Sequence, residues 1–519
     1  MKKLWLIAVV MLVLMPLAGL FAAGGKEAAP AAPRQELVIA IGAQPEALDP
    51  IAMASAPAAT VGEHLHQSLI YMAPDGTLEP SLAESWQAAP DGLSWTLRLR
   101  QGVKFHDGSA FNAQAAKANL DRFLDPESKA PYRFLISEVS AVQVVDEHTI
   151  RLVLNRPFAP IISNLSHSFI GMLSPASLQS LAKGEATSNI VGTGPFKLVR
   201  WDRGEQIVLE RNQEYWGNVP RIETLTFKFV PEDAARIVML ETGEAHAVMR
   251  VPPADAKRLD ANPNIDVVYP SSVRVIYAGF NTQVKPFDNP KVRQAMNYAV
   301  NKEAIINTIL AGVGYPSTAP VVPAVFGHTK VGPYEYNPAK ARQLLAEAGY
   351  PNGFRAVFHH PTGRYLMDST IAEAIQSMLR EVGVQLELQT MEWSAYLSFV
   401  RKPPAEAQHQ MYMLGWGTVT LDADYGIFSL LHSSQWPPTG WGVSYYKNDR
   451  VDRLLDAGRT TAERATREGL YADAIKLIWE DAPWLYLHDE GQINAVRSNV
   501  KGLIHHPLEN ILAWDAYIE

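Results

Sequence analysis

TIAEAIQSMLREVGVQLELQT, residues 370–390, changes its periodicity part-way along, and that change decides the fold class. Ile371, Ile375, Met378, Leu379 and Val382 recur at helical spacing and mark one apolar face. Thr370 with Glu373 can form the capping box that starts such a helix. Gly383 supplies the stop, and Val384 to Thr390 then alternates with period two, as a strand does. A helix handing over directly to a strand is the repeating unit of α/β architecture.

The same grammar extends in both directions. Upstream, NPAKARQLLAE (337–347), closed by Gly349-Tyr350-Pro351, predicts a second helix. Downstream, Leu470, Ala474, Leu477 and Ile478 mark a third. Towards the start, Leu37–Ile41 reads as a short buried strand, and segments 95–100, 149–154, 206–211 and 224–230 alternate as half-buried strands. The expectation is α/β lobes with parallel sheet content.

Composition narrows the function. The chain has 519 residues, 47% hydrophobic and 19% charged, which excludes wholesale disorder. A formal net charge of −8 with no basic stripe argues against a nucleic-acid partner. Zero cysteines exclude disulfides, thiolate metal sites and a cysteine nucleophile. There is no G-x-S-x-G elbow, no P-loop and no H-E-x-x-H, and Ser180-Leu-Ala-Lys183 lacks any K-T-G partner. The pairs His359-His360 and His505-His506 are poor chelates, and Glu63-His64-Leu65-His66, read as a strand, would put both imidazoles on one face without a third ligand. No catalytic residue, metal or cofactor is expected.

Lys2 and Lys3 followed by the apolar run Leu4–Leu20 and the small residues Ala22–Gly25 read as a cleavable signal peptide, 1–24. Residues 25–36 are an Ala/Pro-rich flexible linker. A lipid anchor would need a cysteine, so the mature protein is expected to be exported, periplasmic and soluble.

Three ordered blocks then carry a resemblance. The first is Pro80-Ser-Leu-Ala-Glu-Ser-Trp86, Asp91-Gly92 and Leu99-Arg-Gln-Gly-Val-Lys-Phe-His-Asp-Gly108. The second is Val191-Gly-Thr-Gly-Pro-Phe196 with Glu210-Arg-Asn-Gln-Glu-Tyr-Trp216. The third is Phe280-Asn-Thr282, Pro286-Phe-Asp288 and Val292-Arg-Gln-Ala-Met-Asn-Tyr-Ala299. Together they resemble the solute-binding family 5 of ABC importers, from about Leu37 to the C-terminus. As scaffold, Gly192 and Gly194 let backbone cross closely, and Arg293 reads as a structural ion-pair partner.

The resemblance implies the large class of the two-lobe periplasmic-binding-protein (Venus flytrap) fold, with an extra subdomain in lobe one. Lobe one would span 37–275 and be completed by 489–519; lobe two would span 276–488. Ligand would be enclosed between lobes, and the partners would be a short peptide and the permease subunits of an importer, with the binding protein itself a monomer.

The ligand class turns on lobe two. Arg364, in Pro361-Thr-Gly-Arg-Tyr365, stands near the N-terminus of the helix expected from Thr370, and its guanidinium can grip a carboxylate. Leu421-Asp-Ala-Asp-Tyr425, following the strand that ends at Trp416, resembles the acidic loop with which dipeptide- and glutathione-binding members hold an α-ammonium. Asp424 is the better match by position and Asp422 the reserve. Tyr365, Tyr425, Trp416, Trp436 and Trp441 are candidate cleft walls. The reading is capture of di- or tripeptides or glutathione-like ligands; the alternative is the same fold holding an oligosaccharide or a metal chelate.

Overall fold

Two β-sheets organise the computed structural model, which describes residues 35–128, 130–184 and 190–519. The first sheet has seven strands, centred on Glu36–Ile41, which runs parallel to both Thr224–Phe229 and Ala247–Met249. Gln206–Arg211 and Phe196–Asp202 extend one edge antiparallel, and Asn494–Arg497 and Ile265–Val268 extend the other. Alternation explains the packing: Leu37, Ile39 and Ile41 are buried in one cluster with Ile207, Leu209 and Leu225, while Ala40 faces another.

The second sheet has six strands. Arg355–Pro361 lies parallel to Gln385–Met391 and Met411–Gly417, whereas Arg274–Phe280 runs antiparallel to Met411–Gly417 and Trp484–Asp489. Tyr315–Pro316 pairs with the outer edge of Trp484–Asp489. Both sheets are therefore mixed. The chain passes from the first sheet to the second between Val268 and Arg274, and returns between Asp489 and Asn494. A separate four-stranded antiparallel sheet, Ala83–Ala88, Ser94–Leu99, Thr149–Leu154 and Val139–Asp146, is the added subdomain of a two-lobe α/β fold.

The helix–strand unit around residue 380 forms with one change. The helix runs Asp368–Glu381, so Thr370 and Glu373 do not cap it; Met367 is the N-cap, in left-handed conformation with φ 57°. The Asp368 carboxylate accepts hydrogen bonds from the N–H groups of Arg364 (2.9 Å), Tyr365 (3.1 Å) and Ser369 (2.8 Å), so an acid inside the helix does the work expected of a hydroxyl before it. Gly383 ends the unit at φ 91° and the strand follows at Gln385.

Other local readings are adjusted. Glu63-His64-Leu65 closes a helix, Ala56–Leu65, with His66 as C-cap and Ser55 as N-cap, rather than lying in a strand. His64 is saturated by the Thr60 carbonyl (2.8 Å) and the Ala513 N–H (3.0 Å). Among the described residues Arg293 makes no ion pair: it donates to the carbonyls of Asp481 (2.9 and 2.5 Å), Ala482 (3.2 Å) and Phe287 (2.8 Å), closing the C-terminus of the helix Arg464–Asp481. A Cβ at Gly192 would lie 2.2 Å from the Leu65 carbonyl oxygen and one at Gly194 2.4 Å from that of His64, so backbone does cross there in contact. Glu36, at the end of the stretch expected as linker, already pairs with Thr224 in the first sheet. The proposed signal peptide and residues 25–34 of that linker lie outside the described residues, among which no helix is long and apolar enough to cross a membrane.

Candidate ligand-binding site

A cavity of about 70 Å³ is lined from both sheet-bearing parts of the chain.

Arg364 is one of its cationic groups. The turn after the strand Arg355–Pro361 delivers it, and Asp368 fixes that turn by gripping the backbone N–H of Arg364 itself. The side chain is 2% exposed, and neither Nε nor Nη1 has a hydrogen-bond partner. Tyr365 and Trp393 cover its guanidinium at 4.6 and 5.1 Å. Among the described residues the carboxylate facing its guanidinium is Glu509, whose Oε2 lies 3.6 Å from Nη1, too far for a hydrogen bond.

Glu509 is already heavily engaged. Arg250 Nη2 donates to its Oε2 at 2.9 Å, and Arg274 Nε bonds its Oε1. Arg274 also donates from Nη1 to the Gly415 carbonyl at 2.6 Å and lies 3.5 Å from Glu490 Oε2. Burial works to raise Glu509, but Arg274, Arg364 and Arg250 together hold it well below the ordinary carboxylate range. Burial, and then Glu509, push Glu490 the other way, towards its neutral form. Burial first, then Arg274 and Arg250, bring Arg364 down to about 10. Three guanidiniums thus share one ionised carboxylate, and the surplus positive charge meets the cavity at Arg274 and Arg364.

Flat aromatic walls enclose the rest. Trp416 stacks on Tyr425 (ring centroids 5.3 Å apart) and on Tyr132 (6.1 Å), with Trp441 at 5.5 Å. Tyr365, Tyr425, Trp416 and Trp441 all line the cavity, as does Trp393. Trp436 does not: it is held by a 3.0 Å hydrogen bond to the Tyr446 carbonyl and packs edge-on against Tyr445.

The acidic loop also goes elsewhere. Asp424 is fully buried outside the cavity lining, with Oδ1 3.0 Å from Arg459 Nε. Asp422 receives Arg467 Nη2 at 2.9 Å on both oxygens and accepts the Asp424 N–H at 3.0 Å. Burial raises Asp424 to about 6, with Arg459 opposing. Both carboxylates have counter-ions from helices that begin at Asp449 and Arg464, so neither is presented to a ligand here. Sequence reasoning missed Arg274, Glu509, Tyr132, Trp393 and Glu63. A signal existed for Arg274, the charged residue of the strand RVIYAGF, whose every residue is buried.

The sequence model of bacterial extracellular solute-binding proteins, family 5 (Middle), matches residues 77–438. The chain belongs to this family. The glutathione-binding protein GsiB of Pectobacterium atrosepticum is 35% identical over 497 residues, covering 94% of this chain and 96% of that one. The periplasmic binding protein DppA from Helicobacter pylori, solved in complex with the peptide STSA, superposes with a TM-score of 0.85 at 29% identity, covering 93% of this chain and 98% of that one. A dipeptide-binding protein from Pseudoalteromonas sp. SM9913, in complex with Met-Leu, shares the fold with a TM-score of 0.87 at 24% identity, covering 93% and 100%. In this family 5 member no residue of 80–108, 191–216 or 280–299 lines the main cavity.

Proposed function

We propose that the protein is the exported, periplasmic substrate-binding component of an ABC importer, which captures di- or tripeptides or a glutathione-like ligand and delivers them to the permease as a monomer, without cofactor or catalysis. The two sheets would be the cores of lobes 37–275 with 489–519, and 276–488, hinged at the two crossings near residues 270 and 490. Ligand binding shifts the population towards the closed arrangement that the permease reads.

The observation that carries this reading is the Arg364 guanidinium, buried at the cavity wall with two N–H-bearing nitrogens unpartnered and a surplus of positive charge behind it. A ligand carboxylate supplies both the missing acceptors and the missing charge. A neutral sugar supplies neither. The GsiB and DppA relatives support the peptide class. The test is calorimetric titration of wild type and Arg364→Ala with glutathione and with the dipeptide Met-Leu. Losing one partner of a buried charge pair costs ~3–5 kcal/mol, so affinity falls by roughly two to three orders of magnitude. C-terminal amidation of Met-Leu weakens wild-type binding, with little further loss in the variant. Unaltered affinity in Arg364→Ala overturns the reading.

A further inference from the structure

Glu63 is the only carboxylate among the residues lining the main cavity. It also lines an adjoining pocket, so with Tyr71 and Ser166 it stands on the boundary between the two. Among the described residues no arginine, lysine or histidine pairs with it, and it accepts no hydrogen bond. Two polar side chains near it are occupied. Gln67 donates to Tyr215 Oη (2.7 Å) and accepts from Trp216 Nε1 (2.7 Å), and Ser166 donates to the Ser163 carbonyl (2.7 Å).

We propose that Glu63 receives the ligand's α-ammonium, making it the residue that restricts the cavity to zwitterions with a free amine, in the role the sequence suggested for Asp424. The inference deepens the peptide-binding reading and rests on it. Position supports it: Glu63 lies in the last turn of the helix Ala56–Leu65, where the unpaired carbonyls carry partial negative charge that repels an anion and attracts a cation. Burial pushes the Glu63 carboxyl up to about 7, the signature of a buried acid lacking a counter-charge. With Arg364 and Arg274 supplying positive charge elsewhere on the wall, the cavity is dipolar, and a ligand with separated amine and carboxylate satisfies both poles.

The test titrates wild type, Glu63→Gln and Arg364→Ala with glutathione and with Met-Leu, each as the free amine and as the N-acetyl derivative. Whichever free-amine probe binds the wild type should lose about ten- to a hundredfold in affinity to Glu63→Gln, as expected for a charge-assisted hydrogen bond. N-acetylation should weaken wild-type binding similarly and leave Glu63→Gln with no further loss. A thermal midpoint for Glu63→Gln at or above that of wild type shows that the fold is intact. Free-amine binding equal in wild type and Glu63→Gln, while Arg364→Ala still loses it, overturns this inference alone. No binding of any probe by wild type overturns the peptide reading and this inference with it.

Discussion

Arg459, in the last turn of the helix Asp449–Thr460, places Nε 3.0 Å from Asp424 Oδ1 and donates from Nη2 to the Phe134 carbonyl at 2.9 Å. Its own carbonyl accepts the Ala159 N–H at 3.0 Å. One arginine therefore ties the acidic loop to a segment that precedes it by some three hundred residues, and Asp424 is the charge that makes burying that arginine tolerable.

The pair gives the first prediction. Arg459→Met leaves the buried Asp424 carboxylate without its counter-ion and should cost ~3–5 kcal/mol of stability at pH 8, whereas Asp424→Leu with Arg459→Met removes both charges and should be close to neutral. Denaturant titration of the single and double variants measures the coupling. Because burial raises Asp424 to about 6, above its unfolded value near 3.8, the native state takes up a proton between those values that the unfolded state does not. This group therefore adds stability as pH falls through 6, while the measured Asp424–Arg459 coupling fades over the same range. Coupling that stays constant from pH 8 to pH 4 contradicts the assignment.

Arg364 should trade stability for binding. Its guanidinium is held down to about 10 by burial and by Arg274 and Arg250, against an ordinary value of 12.5, which corresponds to a penalty of up to roughly 3 kcal/mol at about 1.4 kcal/mol per unit. A base whose folded value is depressed carries the full penalty below that folded value, so it is present across the whole neutral range. Arg364→Leu should raise the thermal midpoint of ligand-free protein by a similar amount at pH 6 and pH 8, and abolish the midpoint shift produced by glutathione. A lowered midpoint at both pH values would mean that Arg364 is a structural partner of Glu509.

The place of Arg364 at the cavity was legible because its setting is local: a strand, a tight turn and a helix start within fifteen residues, all read from one stretch of chain. Asp424 was misread because its fate depends on Arg459, and nothing in LDADY reveals a guanidinium arriving from another helix. The same applies to Glu509, which sits at φ 66° in a loop and becomes the hub of the charge cluster only once Arg250 and Arg274 converge on it. The helix at 56–65 has a readable start in Ser55 and Pro57, while its histidine spacing taken alone fits a strand. Strand membership was legible from alternation, but sheet order was not, since the central strand Glu36–Ile41 takes partners from 224–229 and 247–249.

Two glycines should respond oppositely to alanine. Gly194→Ala drives a Cβ to 2.4 Å from the His64 carbonyl, backbone that cannot swing aside, and should cost at least ~1–3 kcal/mol. Gly469, exposed within the helix Arg464–Asp481 and with nothing within 4 Å of its Cβ position, should gain roughly 0.5–1 kcal/mol as alanine. Urea midpoints of the two variants on opposite sides of wild type meet the expectation; a neutral Gly194→Ala does not.

Closure is measurable in solution. With only the crossings at 268–274 and 489–494 joining the sheets, saturating glutathione should reduce the radius of gyration measured by small-angle scattering. An unchanged radius in a sample whose thermal midpoint has risen would show that ligand binds without hinge motion.

The charge cluster draws its members from positions 250, 274, 364, 490 and 509, a span of 259 residues. Such a site has no early, partly competent form. Until Glu509 joins the fold, Arg250, Arg274 and Arg364 cannot be buried together without leaving their charges uncompensated. The charged wall of the cavity is therefore complete only when the C-terminal segment is in place.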